Sequence, residues 1–81
     1  MMEHDKIIEG FSNTMKIKLD VNGYKSHWSE KKNSYLLERL KEEVKELENA
    51  LINNEPILGE CADIANFAMM IADKEGLIDT P

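Results

Sequence analysis

Residues that break helices or form cross-links are scarce in this chain. The 81 residues include one Cys, two Pro and four Gly. A single cysteine excludes an internal disulfide, so a reducing cytoplasm is the expected environment. Because the helix formers Glu, Lys, Leu, Ala and Met dominate the rest of the sequence, the composition predicts an all-α protein.

Positive charge is also in short supply. Ten Lys and Arg stand against sixteen Asp and Glu, which gives a formal net charge of −6. This balance argues against nucleic-acid binding, which needs a basic face, and is compatible with cation binding. No apolar run is long enough to cross a bilayer and no signal peptide is visible, so we expect no membrane association. The length predicts one small domain over residues 1–81, near the lower limit for a self-sufficient core.

Apolar periodicity predicts three helices, at about residues 4–20, 33–53 and 56–74. The expected helix-ending signals are Asn22-Gly23, Asn53-Asn54 and Gly76. We expect Asn33 or Ser34 to cap the second helix and Pro56 to lie in the first turn of the third.

The first two predicted helices each carry an apolar stripe that should pack on a neighbour. On the first helix the stripe consists of Ile7, Phe11, Met15 and Leu19, with Ile8 alongside. On the second it forms a seam of Leu37, Leu40, Val44, Leu47 and Leu51. Glu43 lies at the edge of this seam, between Leu36 and Ala50.

The third predicted helix combines apolar character with acids. From Cys61 to Ala72 every residue is apolar except Asp63 and Asn66. Glu60 and Asp63 lie one turn apart on one side of this helix. That side continues through Asn66, Phe67 and Met70. We therefore expect the helix to pack with its other side and to present its acids to a positive group, since a buried carboxylate needs compensation.

Two pairs of carboxylates should face each other across the groove between the second and third helices. A short turn joins these helices, so they should be antiparallel neighbours. The pairs are Glu43 with Glu46, and Glu60 with Asp63. Four hard oxygen donors without Cys or His select Mg²⁺ or Mn²⁺ rather than zinc. Since Mg²⁺ held in this way usually takes further ligands from phosphates, the substrate should carry phosphate.

The segment before the second helix, residues 23–32 (GYKSHWSEKK), has no periodicity and is predicted to be a loop. It contains the only Trp of the chain, Trp28, together with Lys25, Lys31 and Lys32. An aromatic ring beside cations suits stacking on a base and contact with phosphates. The alternative is that Trp28 plugs the end of a helix pair and the lysines are solvated.

The pattern E-E-x-x-E on the second helix followed by E-x-x-D on the third resembles the MazG-like, all-α nucleoside triphosphate pyrophosphohydrolases. The likeness covers about residues 25–73 and includes the K-S-H-W of the loop and the D-I-A-N-F after the second acidic pair. It implies four magnesium ligands: Glu43, Glu46, Glu60 and Asp63. It also implies that Glu42 and Glu43 are the catalytic acids, with Glu42 contacting the ligands or orienting a water.

The resemblance implies hydrolysis of a nucleoside or deoxynucleoside triphosphate between its α and β phosphates, giving a monophosphate and pyrophosphate. Mg²⁺, with Mn²⁺ as a possible substitute, would neutralise phosphate oxygens and lower the pKa of a water for in-line attack on the α phosphorus. Stacking on the base is expected from Trp28 and Phe67. Contacts with the outer phosphates are expected from Lys25, Lys31 and Lys32, and Asn66 is expected to contact the nucleotide beside Phe67.

The chain ends soon after the third helix, so it should lack the further helix with basic residues that often closes the site in longer relatives. A homodimer or homotetramer is therefore expected, as the third helix with its two apolar sides also indicates. Two alternatives keep the fold without the chemistry. One is a lapsed nucleotide- or metal-binding module, and the other is a helical oligomerisation module whose acids are solvated or paired with Lys41, Lys45 and Lys74. In the oligomerisation module Asp63 meets a Lys or Arg, whereas in the enzyme it meets other acids.

Overall fold

The structure, a computed structural model, describes residues 2–23 and 28–76. These residues form α1 (Met2–Val21), a short 3-10 helix (Trp28–Glu30), α2 (Asn33–Ile52) and α3 (Leu58–Lys74), and no strand occurs among them. The predicted all-α class is confirmed, and each predicted helix boundary lies within two residues of the observed one. Within the described part of the chain, no helix is long and apolar enough to cross a membrane.

The central element is α3, because it packs against both α1 and α2. In the described segments α1 and α2 do not pack on each other, and the 3-10 helix also packs on α3. Among the described residues, the buried apolar ones come from α2 and α3: Leu36, Ala50, Ala62, Phe67 and Met70. α3 therefore provides the packing surface for both neighbouring helices.

The helices end where the sequence signals predict. Gly23 and Gly76 have φ values of 76° and 70°, a left-handed conformation that glycine adopts without strain. Asn54 has φ 56° and turns the chain from α2 towards α3. The Glu55 N–H then donates to the Ala50 carbonyl at 2.8 Å, which satisfies one of the free carbonyls at the end of α2.

The beginnings of α2 and α3 differ from the predictions. Neither Asn33 nor Ser34 caps α2, because Lys32 occupies the cap position and no side chain caps the helix. The Asn33 amide instead donates to Glu75 Oε1 at 2.7 Å, so a long-range partner replaces the local one. Pro56 precedes α3 rather than lying in its first turn, since the first helical carbonyl is that of Ile57, which accepts the Cys61 N–H at 3.0 Å.

The packed face of α2 is not the predicted seam. The buried residues of α2 recur every seven positions: Leu36, Glu43 and Ala50. Three seam residues instead expose 36% to 55% of their surface: Leu37, Val44 and Leu51. The seam prediction is wrong at these positions, because α2 turns the line containing Glu43 towards α3.

The side of α3 that carries the acids is also its packed side. The buried residues of α3 are Ala62, Asp63, Asn66, Phe67 and Met70. The opposite side, represented by Cys61, Ala65 and Ala68, is half-buried or exposed. The expectation that α3 packs with the side away from its acids is therefore wrong, because α1 and α2 flank the acidic side.

Only the second half of α1 packs on α3. Residues 3–10 are exposed, including Ile7 and Ile8 at 68% and 62%. The rest of the predicted stripe, Phe11, Met15 and Leu19, is half-buried. The stripe prediction is thus wrong for Ile7 and Ile8 as far as packing within the chain is concerned.

Candidate active site in the groove between α2 and α3

The four carboxylates that the sequence singles out line one pocket of about 360 Å³. They are Glu43 and Glu46 from α2, with Glu60 and Asp63 from α3. Within each pair the spacing of three residues places both side chains on one face of their helix. The second half of α1 completes the pocket with Lys18 and Asn22, which the sequence did not indicate.

Glu43 is the most deeply placed of these acids, with only 5% of its surface exposed. Burial raises the pKa of Glu43 to about 7, helped by a hydrogen bond with Glu46 and by the negative charges of Glu46 and Asp63, although the charge of Arg39 opposes the shift. When protonated, the Glu43 carboxyl can donate to Glu46. Glu43 therefore changes its charge close to neutral pH.

Asp63 lies near both a lysine, as the oligomerisation alternative predicts, and another acid, as the enzyme hypothesis predicts. Its Oδ2 lies 3.5 Å from Lys18 Nζ, and its Oδ1 accepts a hydrogen bond from Asn22 Nδ2 at 3.1 Å. Its charge also contributes to the raised pKa of Glu43. The positive group expected opposite the acids is confirmed, and it comes from α1.

The lysines named for the oligomerisation alternative lie away from the acids of the pocket. Lys41 pairs with Glu38 at 3.8 Å, and Lys74 donates to the Lys31 carbonyl. Lys45 is exposed on α2. None of these three lysines lines the carboxylate pocket.

Arg39, the only arginine of the chain, also lines the pocket. Its Nη2 lies 3.2 Å from Glu43 Oε2, and its Nη1 pairs with Glu42. Its guanidinium carbon lies 5.1 Å from the centroid of the Phe67 ring, a cation–π distance. Sequence reasoning missed Arg39, although a sole arginine four residues before Glu43 on a helix was a usable signal.

Trp28 lies at the other end of α3 from the acids. Its indole N–H donates to Asp73 Oδ2 at 2.9 Å, and its ring packs against the core residues Leu36, Phe67 and Met70. Asp73 is ten residues beyond Asp63 on α3, or about 15 Å along the helix. The observed position is the one that the packing alternative describes, and base stacking by Trp28 stays a prediction.

The other predicted substrate contacts are dispersed. Neither Lys31, with its Nζ 5.5 Å from the Tyr35 ring centroid, nor the exposed Lys32 lines the pocket. Lys25 lies outside the described residues. Of the predicted base contacts, Phe67 lines the carboxylate pocket.

Asn66 and Glu42 lie beside the pocket rather than in its lining. Asn66 is 3% exposed, its Nδ2 donates to the Met15 carbonyl at 3.0 Å, and it borders a second cavity of about 240 Å³ between α1 and α3. Glu42 is exposed and is linked to the pocket through Arg39.

The donor chemistry of the pocket fits a hard divalent cation, because four carboxylates line it and no sulfur or imidazole of the described residues does. As the side chains are placed, no three acidic, His or Cys groups within residues 2–23 and 28–76 lie close enough together to hold one ion. Lys18 and Arg39 contact oxygens of Asp63 and Glu43. Holding a cation would therefore require these two basic side chains to exchange partners.

The chain is an all-α protein of the MazG-like nucleotide pyrophosphohydrolase superfamily. A family model for phosphoribosyl-ATP pyrophosphohydrolase (PRA-PH) matches residues 9–80. The chain belongs to this family, whose members are hydrolases of acid anhydrides and generally depend on a divalent metal. Comparison with curated proteins gave no match, and comparison with solved structures also gave none.

Proposed function

We propose that this protein uses Mg²⁺ to hydrolyse a nucleoside triphosphate between its α and β phosphates, releasing a monophosphate and pyrophosphate. The observation that carries the proposal is the shared pocket of four carboxylates in a member of the PRA-PH family: Glu43, Glu46, Glu60 and Asp63. These carboxylates are the proposed metal ligands, and Mn²⁺ is a chemically acceptable substitute.

The proposed roles follow from the surroundings of each group. Bound Mg²⁺ would neutralise phosphate oxygens and acidify the attacking water. Glu43, with a pKa of about 7 when no metal is bound, would have to release its proton before it could hold the cation. Glu42, paired with Arg39, would orient groups at the mouth of the pocket. Phe67 would provide an apolar wall.

The proposal names both a class of substrate and one particular candidate. The pocket could accept any nucleoside triphosphate with its metal, because the triphosphate group and the bond that reacts are the same in all of them. The family match favours phosphoribosyl-ATP as one such substrate. A module with a lapsed site would bind a nucleotide without converting it.

The test is product analysis with each substrate class. ATP, a mixture of dNTPs and phosphoribosyl-ATP are incubated separately with the protein and Mg²⁺, and phosphorus NMR identifies the products. Pyrophosphate with a monophosphate is expected, and EDTA should abolish both. Orthophosphate with a diphosphate would assign a different bond, and binding without turnover would favour the lapsed module.

A homodimer or homotetramer is part of the proposal. Support comes from what we call the α2 stripe, the exposed apolar residues Leu37, Val44 and Leu51. They recur every seven residues along one helix face, a spacing suited to packing against another helix. A second copy of the chain could cover this stripe and add a further wall to the pocket.

A further inference from the structure

The carboxylate pocket needs a positive group that can meet an anionic substrate. Four acids line it, and the basic side chains in its lining are Lys18 and Arg39. Phosphate oxygens bind best to charged donors, and strongly to a planar guanidinium that can offer two parallel N–H groups. Lys18 and Arg39 are therefore the two candidates for contact with phosphate.

The surroundings of Arg39 favour it over Lys18. The guanidinium lies over the ring of Phe67, itself only 2% exposed, so a rigid aromatic surface supports it. One of its carboxylate partners, Glu42, has a side chain that is 61% exposed, and an exposed ion pair contributes little to stability. Lys18 has a flexible ammonium group that contacts Asp63, whose side chain is only 12% exposed. An ammonium group cannot offer two parallel N–H groups as a planar guanidinium does.

The second partner of Arg39 is the one that a metal ion would also use. The guanidinium contacts Glu43 Oε2 at 3.2 Å, and Glu43 is a proposed metal ligand. A divalent cation on Glu43 would compete with Arg39 for the same carboxylate. The cation would then neutralise the charge of Glu43, and the guanidinium of Arg39 could bind another anion nearby.

We propose that Arg39 is the phosphate-binding residue of this pocket, and that its guanidinium, supported by Phe67, exchanges Glu42 and Glu43 for oxygens of the substrate and of the pyrophosphate product. This inference rests on the proposed function and deepens it by assigning the anion contact. No covalent bond changes in this step, since only hydrogen bonds and ion pairs are exchanged. A purely structural Arg39 would only keep the pocket in its folded shape, so its loss would weaken all ligands alike.

The experiment compares two ligands by isothermal titration calorimetry: Mg²⁺ alone, and inorganic pyrophosphate in saturating Mg²⁺. The variants are Arg39→Gln and Arg39→Lys, with Lys41→Gln as the matched control. Lys41 also lies on α2, but its side chain is 62% exposed and pairs with the exposed Glu38. Circular dichroism checks that each variant is folded.

Arg39→Gln should weaken pyrophosphate binding by about tenfold or more, the equivalent of one charge-assisted hydrogen bond. Its affinity for Mg²⁺ alone should be unchanged or higher, because a competitor for Glu43 is removed. Arg39→Lys should lose about threefold or more for pyrophosphate, because it keeps the charge without the fork. The nucleotide KM should rise in the same order with a smaller effect on kcat, and Lys41→Gln should stay within about twofold of the wild type throughout.

Unchanged pyrophosphate binding in a folded Arg39→Gln variant overturns the inference and leaves the proposed function standing. An equal loss of Mg²⁺ and pyrophosphate affinity also overturns it, since that is the structural pattern. If Arg39→Gln does not fold, Arg39→Lys decides, and pyrophosphate binding equal to the wild type refutes the proposal. A wild-type protein that binds neither Mg²⁺ nor pyrophosphate instead refutes the proposed function, on which this inference rests.

Discussion

Glu43 couples the candidate site to the stability of the fold, and the substitution Glu43→Gln tests that coupling. The pKa of this carboxyl is raised from 4.5 to about 7, chiefly by burial. In the folded protein Glu43 therefore keeps its proton from about pH 4.5 to pH 7, whereas the unfolded chain has released it. Raising the pH through this window favours the unfolded state, and above pH 7 the effect is complete.

The size of the effect follows from the two pKa values. Each pH unit between them is equivalent to about 1.36 kcal/mol, so the free energy of unfolding should fall by on the order of 2–3 kcal/mol between about pH 5 and pH 7.5 in EDTA. The glutamine side chain of the variant would keep the shape and could donate an N–H to Glu46, as the protonated acid does. It would not titrate, so the variant should lack this part of the pH dependence.

The assay is urea unfolding followed by circular dichroism at pH 5, 6, 7 and 8, at one protein concentration and in EDTA. Glu48→Gln is the control, because Glu48 is an exposed acid of the same helix and the substitution makes the same chemical change. The difference between the wild type and Glu43→Gln isolates the contribution of Glu43, because all other ionisable groups are common to both proteins. Added Mg²⁺ at about pH 7.5 should stabilise the wild type more than the variant.

Parallel pH profiles for the wild type and Glu43→Gln would refute this reasoning. They would mean that Glu43 ionises at the same pH in the folded and unfolded states, which its burial and acidic neighbours would then not explain. A parallel shift of all three profiles with Mg²⁺ would remove Glu43 from the metal ligands.

Three further predictions address other parts of the molecule. Asp63→Asn should change the free energy of unfolding in EDTA by no more than ~1 kcal/mol, because the lost contact with Lys18 is offset by reduced repulsion of Glu43. Product assays of this variant should show activity lower by orders of magnitude. If its free energy of unfolding instead falls by several kcal/mol both with and without Mg²⁺, Asp63 is a structural salt-bridge partner. Trp28→Phe should lower stability by about 1 kcal/mol, measured by urea unfolding, through loss of the hydrogen bond to Asp73, with little change in nucleotide KM; a several-fold rise in KM would support base stacking. Light scattering after size exclusion should find a dimer or tetramer that Val44→Asp dissociates, and a well-folded wild-type monomer at micromolar concentration would contradict it.

Features of this fold that depend on local interactions could be predicted from the sequence. Helix positions followed from apolar periodicity, and their ends from residues that adopt positive φ, as at Gly23, Asn54 and Gly76. Convergence of the four carboxylates was also a local inference, because two pairs with helical spacing on helices joined by a short turn must face one groove. In the structure the four side chains line one pocket, although no three acidic, His or Cys groups of the described residues lie close enough to hold one ion.

Features that depend on distant partners could not be predicted in the same way. Leu36 and Leu37 are adjacent leucines, and only the packing of α2 on α3 decides that the first is 1% and the second 45% exposed. Asn22 reaches Asp63 across 41 residues of sequence, and Asn33 reaches Glu75 across 42. No periodic pattern marks such pairs before the helices are docked.

The ion pairs in the pocket and the proposed metal site are two consequences of the same excess of negative charge. Four carboxylates line the pocket beside two basic side chains, so full ionisation would leave two negative charges uncompensated. Burial is the main cause of the raised pKa of Glu43, and the negative charges of Glu46 and Asp63 raise it further. The proton that Glu43 retains removes one of the four negative charges. A divalent cation would remove two, and it would do so in competition with the proton and with Arg39. Metal affinity should therefore increase as the pH rises through about 7. The salt bridge between Lys18 and Asp63 is compatible with the proposed metal site, because a group of carboxylates without a metal ion needs positive neighbours in order to fold.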